Sequence, residues 1–425
     1  MTTFYAIALV VLSLCGIPLF VVIAGLALLF FAAAGIDSSA VIIEMYRLTS
    51  SPMLVAIPLF TFAGYLLAES KSPERFINLY HALFSWLPGG LAIVAIIACA
   101  FFTAFTGASG VTVIALGGLL YPMLLKERYS ESFSLGLLTC CGSLGLLFPP
   151  SLPLILYALI AQVNVDALFL AGIVPGSLMV VFLSLYSLFS GAKVKVAREP
   201  FRWPVVLKAV REAMWILPLP FIVLGGIYGG IFTPMEAAAV TAGYVFIVEI
   251  FIHRDLRFFR DVPRIASESM ILVGGILLML GCALGFTNYL VDEQIPMKIL
   301  ELMRQYITSK LMFLVVLNLF LLVVGCLMDI FSAIIVVVPL ILPVAKEFGV
   351  HPLHLGMIFL TALEIGYMTP PVGLNLFISS YRFKKTIPEC FVASWPFTCV
   401  LMVALILITL FPDLSLFLVR LFGRL

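Results

Sequence analysis

Charge is what this sequence has least of. Asp, Glu, Lys and Arg make up 11% of its 425 residues against 63% hydrophobic, and the mean hydropathy is +1.21. Soluble domains do not have such a composition. The 24 basic and 22 acidic residues leave a net charge of +2, with no basic stripe, so nucleic acid is not an expected partner. No GxxxxGK[ST] loop occurs, which removes a P-loop nucleotide site as the energy source. There are four histidines and no evident Ser–His or paired-acid arrangement, which argues against an intramembrane transferase. His351 and His354 flank Pro352 in a polar connection and read as surface histidines. Cys15, Cys99, Cys140, Cys141, Cys282, Cys326, Cys390 and Cys399 form no CxxC pair, so they read as inert buried thiols and not as a zinc or redox centre. The alternating ten-residue pattern of a membrane β-barrel is missing as well.

What the chain has is long apolar runs, many exceeding the roughly 20 residues a helix needs to cross the hydrocarbon. It therefore reads as an all-α polytopic membrane protein. The first 46 residues hold no Lys or Arg, and the run 4–34 is too long for a signal-peptide core, so it reads as a retained span.

One run breaks the rule that membrane helices avoid interruption. GSLGLLFPPSLPLIL, residues 142–156, places Pro149 and Pro150 inside a segment that is uncharged over 132–165. A proline in a helix interior removes a donor and clashes with the preceding turn, at a cost of about 3 kcal/mol. The same punctuation returns later: Pro122 and Pro343, Gly145 and Gly366, Pro149 and Pro370, and Pro150 and Pro371 are each 221 positions apart. The segment order follows that offset, and the chain reads as two repeats.

The first repeat, 1–192, holds an amphipathic arm at 72–87, an apolar pair at 89–127 turning at FTGASG, and a broken helix at 131–162. Residues 193–234 form a basic loop and a linking span, 214–231. The second repeat, 235–412, has its arm at 293–309, its apolar pair at 311–345 around GCLMDIFSA, and its broken helix at 354–380 around TPPVG, before a tail at 413–425. Read as re-entrant hairpins, the two apolar pairs leave each repeat with four true crossings, so the single linking span inverts the second repeat. That topology places 17 of the 24 basic residues on one side and 7 on the other. Positive residues favour the cytoplasm, which puts the N-terminus inside and the C-terminus outside.

Irregular backbone at membrane depth survives only where protein or a wet cavity surrounds it. Broken helices then offer carbonyls to a cation and helix N-termini to an anion. Asp329, in GCLMDIFSA, is an acid at membrane depth. It reads either as a sodium ligand or proton carrier, or as an acid capping the turn of its hairpin. Glu364 is a second such acid, able to tune a cation site or to pair with a base. Glu236 follows Thr233 and Pro234 at a helix start and reads as a capping residue, while Glu249 reads as a boundary charge. Arg47 could receive an anionic solute or anchor its helix at the interface.

The motifs FTGASGVTVIALGGLLYPML, GSLGLLFPPSLPLILYA, GCLMDIFSAIIVVVPLILPVA and EIGYMTPPVGLNLF resemble the large membrane subunit of tripartite ATP-independent periplasmic (TRAP) transporters, over essentially the whole chain. The resemblance implies sodium-coupled, elevator-type import of a small organic anion, with hairpins and broken helices as the moving unit. It also implies a periplasmic substrate-binding protein and a small four-helix membrane subunit as partners, two or more Na+ ions, and no organic cofactor. The solute is left open among sialic acid, C4-dicarboxylates, other carboxylates and sulfonates, and a stand-alone divalent anion/sodium symporter-like carrier is the alternative. The family's first tip falls on 107–110, its first break on 145–151, its acidic tip on 325–332 and its second break on 366–375. The candidate sodium ligands are Thr106, Gly107, Ser109, Gly145, Pro149, Gly325, Asp329, Ser332, Gly366, Thr369, Pro370 and Gly373. The candidate solute contacts are Ser109, Pro150, Ser151, Pro371, Asn375 and Arg47. Ala108 replaces a serine of the commoner SGSS-like tip, which removes one hydroxyl.

Overall fold

The computed structural model describes residues 17–424 apart from 38, 50, 51, 85, 88, 195–201 and 308. The start of the expected opening span, with Cys15, lies outside the described residues. No strand occurs among those described. In chain order the helices are α1 (Leu19–Ala33), α2 (Ser39–Thr49), α3 (Ala56–Glu69), α4 (Ser72–Phe84), α5 (Gly90–Thr106), α6 (Ser109–Lys126), α7 (Glu131–Cys141), α8 (Leu152–Ala161) and α9 (Val165–Val194). There follow α10 (Trp203–Ala213), α11 (Pro218–Tyr228), α12 (Pro234–Ile252), α13 (Asp261–Asp292), α14 (Ile295–Tyr306) and α15 (Lys310–Leu327). The last five are α16 (Ile330–Glu347), α17 (Pro352–Gly366), α18 (Leu374–Phe383), α19 (Ile387–Leu410) and α20 (Asp413–Leu421). Among the described residues seven helices are long and apolar enough to cross a membrane, or up to ten when each bent pair counts as one span. The chain is thus a multi-pass membrane protein.

Local signals set the helix boundaries. Thr233 with Glu236, and Thr386 with Glu389, close full capping boxes at α12 and α19, each with proline in the first turn. Ser130, Ser309 and Asp329 cap α7, α15 and α16 by accepting backbone N–H groups. The 221-residue offset reappears in the elements, since α6 starts at 109 and α16 at 330, and α7 starts at 131 and α17 at 352. The linking span is shorter than expected, because α10 and α11 meet at a 52° bend. The expected tail folds as a helix, α20, which packs on α9.

Both apolar pairs return to the end of the molecule they left. His81 Nε2, on the arm before the first pair, lies 3.1 Å from Glu127 Oε1, just after it. At the second pair, Lys310 Nζ donates to the Gly349 carbonyl at 2.7 Å. Further polar contacts gather the loops of each end. Arg75 forks onto Asp255, Ser72 Oγ donates to Glu249 Oε1 at 2.5 Å, Arg264 reaches Glu69 at 2.7 Å and Lys385 reaches Glu131 at 2.6 Å. Elsewhere Arg424 pairs with Asp166 at 3.3 Å and Arg420 with Asp413 at 2.6 Å. Burial, and then the charge of Arg420, holds the His351 imidazole below its usual range.

The halves interleave, with α7 packed along α19 and α3 along α12. Two sequence readings fail here. His354 is buried, its Nδ1 3.2 Å from Ser415 Oγ, because α20 folds back over a segment whose local composition reads as loop. Glu249 is fully buried between Ser72, Arg75 and His253, and is no boundary charge. Among the described cysteines six are buried, while Cys399 is exposed.

Candidate functional site

The first tip is the two-residue turn Gly107–Ala108 between α5 and α6. Gly107 closes α5 with φ +65°, a conformation a Cβ disfavours. A Cβ there would also sit 2.5 Å from the side chain of Leu152, so the tip rests on the first turn of α8. Ala108 occupies the N-cap position of α6 without a side-chain acceptor. Beneath the turn, Thr103, Thr106 and Thr112 bring three buried hydroxyls together. Thr103 Oγ1 is 2.7 Å from Thr112 Oγ1 and 2.9 Å from the Gly142 carbonyl, and Thr106 Oγ1 is 3.4 Å from Thr112 Oγ1. Ser109 is buried at the start of α6.

The second tip is built on charge. Asp329 is the N-cap of α16: one carboxylate oxygen accepts the N–H groups of Phe331 at 3.0 Å and Ser332 at 3.1 Å, and the other accepts the Ser332 hydroxyl. The Ile330 N–H donates to the Tyr367 hydroxyl, which joins this tip to the end of α17.

Each tip meets its own break. Both breaks contain a cis Pro–Pro bond, Pro149–Pro150 and Pro370–Pro371. Gly145 packs so tightly on α5 that a Cβ would lie 2.3 Å from the Ala100 carbonyl oxygen. Its repeat mate Gly366 does the same on α15, where a Cβ would lie 2.6 Å from the backbone of Gly325. Gly145, Gly325 and Gly366 therefore have a packing reason, the close approach of broken helix and hairpin arm. Past the second break, Gly373 N–H donates to the Cys326 carbonyl at 3.0 Å, and Thr369 Oγ1 to the Gly366 carbonyl at 2.9 Å. Pro149 is half-buried and Pro150 and Ser151 are buried, whereas Pro370 and Pro371 are exposed.

The halves touch through polar groups at these breaks. Asn375, fully buried at the start of α18, donates to the Thr139 carbonyl on α7 at 3.1 Å, and Thr139 Oγ1 donates to Ser379 Oγ at 2.9 Å. Asn375 Oδ1 and Ser151 Oγ are buried without hydrogen-bond partners. Buried polar atoms are nearly always satisfied, so these two stand out as unspent polar groups at the two breaks. The donors fit a small dehydrated cation, with hydroxyls and carbonyls at the first tip and a carboxylate with a hydroxyl at the second. Arg47 lies on α2, and its side chain is outside the described residues. Sequence reasoning passed over Thr103, Thr112, Thr139, Ser379 and Tyr367, which look like ordinary single polar residues in apolar helices until the fold pairs them.

Comparison with known proteins gives this arrangement its context. The family description "Tripartite ATP-independent periplasmic transporter, DctM component" matches residues 6–414. The C4-dicarboxylate TRAP transporter large permease protein DctM of Rhodobacter capsulatus is 34% identical, over 98% of this chain and 98% of that protein. The isethionate TRAP transporter permease protein DctMQ of Oleidesulfovibrio alaskensis is 35% identical over 97% of this chain, which covers 65% of that longer protein. The ectoine TRAP transporter large permease protein TeaC of Halomonas elongata is 31% identical over 98% of this chain. Among solved structures, the Alcanivorax borkumensis YdaH transporter, described as having an unusual topology, matches with a TM-score of 0.60 over 88% of this chain and 87% of that one. At 13% identity that likeness speaks for the fold alone. With a family match over nearly its whole length and relatives above 30% identity, the chain belongs to the DctM component of the tripartite ATP-independent periplasmic transporters, a permease of the bacterial inner membrane and not an enzyme.

Proposed function

We propose that the chain is the membrane-embedded transport subunit of a sodium-coupled importer of a small organic anion, a carboxylate or sulfonate. The single observation that carries this reading is the pair of orphaned buried groups, Ser151 Oγ and Asn375 Oδ1. Each stands at the start of the half-helix following a Pro–Pro break, beside a hairpin tip. Half-helix starts direct N–H groups, and Ser151 its hydroxyl, toward an anion, while Asn375 Oδ1 and the tips direct oxygens toward cations. Na+ is here a co-transported substrate, held by the Thr103–Thr106–Thr112 hydroxyls and tip carbonyls on one side and by Asp329 and Ser332 on the other.

In this reading α5–α8 and α15–α18 move as one inverted-repeat unit against the remaining helices, with α4 and α14 as connecting arms. A solute must bind the two positions of that unit differently to be pumped at all. A periplasmic binding protein delivers the anion, and a small membrane subunit of four helices completes the assembly. The isethionate relative, named DctMQ, is longer than this chain, which covers 65% of it.

The test is uptake into proteoliposomes holding this chain, the small subunit and a loaded binding protein. Accumulation should follow an imposed Na+ gradient and collapse when the gradient is removed. Full-rate uptake of free solute by this chain alone would overturn the tripartite part. Equal uptake without Na+ would overturn the coupling.

A further inference from the structure

Three polar groups of one residue, Tyr367, join the second tip to the second break. Tyr367 closes α17 and is 1% exposed. Its N–H donates to the Leu363 carbonyl at 3.0 Å, which finishes the helix, and its carbonyl accepts the Asn375 N–H at 3.2 Å from the far side of the break. Its hydroxyl accepts the Ile330 N–H of the tip. That N–H belongs to the planar peptide unit bonded directly to Asp329. A single buried side chain thus spans from the acid of the tip to the residue that carries the unpartnered Oδ1.

The first repeat shows that the path of the chain does not require this hydroxyl. The residue 221 positions before Tyr367 is Leu146, equally buried, and Leu154 stands where the second repeat has Asn375. Both breaks nevertheless contain the Pro–Pro pair and the close glycine crossing. The first tip rests on its break through the side chain of Leu152 beneath Gly107, an apolar contact and so a non-directional one. The second tip is fastened by two directional bonds, one on either side of its turn: the Ile330 N–H to Tyr367 Oη, and the Gly373 N–H to the Cys326 carbonyl at 3.0 Å. The bond at Cys326 holds the hairpin arm. The bond at Tyr367 holds the peptide next to the acid.

We infer that Tyr367 is a positioning residue that ties cation occupancy at Asp329 to the setting of the second break. The inference rests on the reading of Asp329 as a sodium ligand. A cation drawn to that carboxylate competes with the Phe331 and Ser332 N–H groups for the same oxygens, so its entry shifts the first turn of α16, Ile330 included. A closely packed ring yields little. Tyr367 therefore passes the shift to its own carbonyl, to Asn375 and to the exposed stretch Pro370–Val372 between them, without itself holding the ion. The effect of sodium on the break and of the break on sodium affinity is then one coupling energy, equal in both directions.

The test uses Na+ alone, on the purified full chain in lipid. Val372→Cys in a Cys399→Ser background reports on the break through its rate of reaction with a membrane-impermeant maleimide, labelling of the background chain being subtracted, and radioactive Na+ counts the ions bound. With Tyr367 in place, saturating Na+ should change that rate by at least about fivefold. In Tyr367→Phe the bound Na+ per chain should be retained while the rate no longer responds to it, a separation that a merely structural role would not produce. Tyr157→Phe, which removes another buried tyrosine hydroxyl from its bond to the Pro352 carbonyl, should keep the response. A full response in Tyr367→Phe overturns the inference, as does its loss in Tyr157→Phe as well, or the loss of bound Na+ in Tyr367→Phe, which would make the tyrosine part of the ion site. Should Tyr367→Phe fail to fold, Tyr367→Leu, the residue of the first repeat, replaces it with the same outcomes decisive, and failure of both to fold also overturns the inference. Bound Na+ with no change of rate in the parent does so too. Absence of bound Na+ in the parent is a separate failure, that of the sodium reading, and the inference falls with it.

Discussion

The two Pro–Pro breaks share a backbone but not an environment. Pro150 and Ser151 are buried and Pro149 half-buried, whereas Pro370, Pro371 and Val372 stand exposed, Val372 at 41%. The hairpin tips differ in the same spirit, with Ala108 leaving α6 uncapped and Asp329 capping α16 with two N–H groups and a hydroxyl. The glycine crossings and prolines that set the path of the chain thus recur in both halves, while the side chains around them differ: the first break is largely buried and uncharged, the second exposed and beside an acid.

The largest effects should come where the halves are alike. Gly145→Leu and Gly366→Leu each force a side chain into facing backbone and should cost about 3 kcal/mol, seen as loss of monodisperse folded protein on fluorescence-detected chromatography. Gly243→Ala, where a Cβ meets nothing within 4 Å, should be neutral or slightly stabilising, since alanine outranks glycine in a helix by roughly 1 kcal/mol. If Gly366→Leu is tolerated while Gly145→Leu is not, the equivalence of the crossings is gone.

Accessibility should separate the halves next. In a Cys399→Ser background, Val372→Cys should react readily with a membrane-impermeant maleimide and Ser151→Cys should not. Equal labelling would erase the distinction between open and sealed. Asn375→Leu removes the bond to the Thr139 carbonyl and should cost about 1–3 kcal/mol, read as a lower melting temperature and slower uptake. The smallest changes belong to the caps. Asp329→Asn, a side chain still able to cap, should leave stability within about 0.5 kcal/mol yet weaken sodium activation of uptake. Ala108→Ser should add about 0.5–1 kcal/mol by supplying the missing cap. Unchanged sodium activation in Asp329→Asn removes that acid from the cation site.

Much of this architecture is legible in the sequence because proline and glycine act locally. The 221-residue spacing located α6 against α16 and α7 against α17, and Thr-Pro-x-Glu marked the start of α12. What stayed hidden depends on partners far along the chain. Glu249 is buried by Ser72 and Arg75, and His354 by Ser415, contacts that local composition cannot register. The bend between α10 and α11 escaped because 203–213, before the apolar run, read as loop, so no helix was expected there for the span to bend against. The hydroxyl cluster of Thr103, Thr106 and Thr112 spans a turn that reverses the chain, so its members appear unrelated until the tip is folded.

The arm α4 is fastened in two unlike ways. Its first turn is fixed by directional bonds, Ser72 to Glu249 and the Arg75 fork on Asp255, while its flank meets α5 through Phe76 stacked on Phe101 and edge-on to Phe102, with ring centroids 4.4 and 5.6 Å apart. Charge-assisted bonds fix orientation, and apolar contacts tolerate slippage because the attraction is non-directional. Were the first hairpin to move as proposed, α4 would swing like a lever on a pinned hub, with the rings as its bearing.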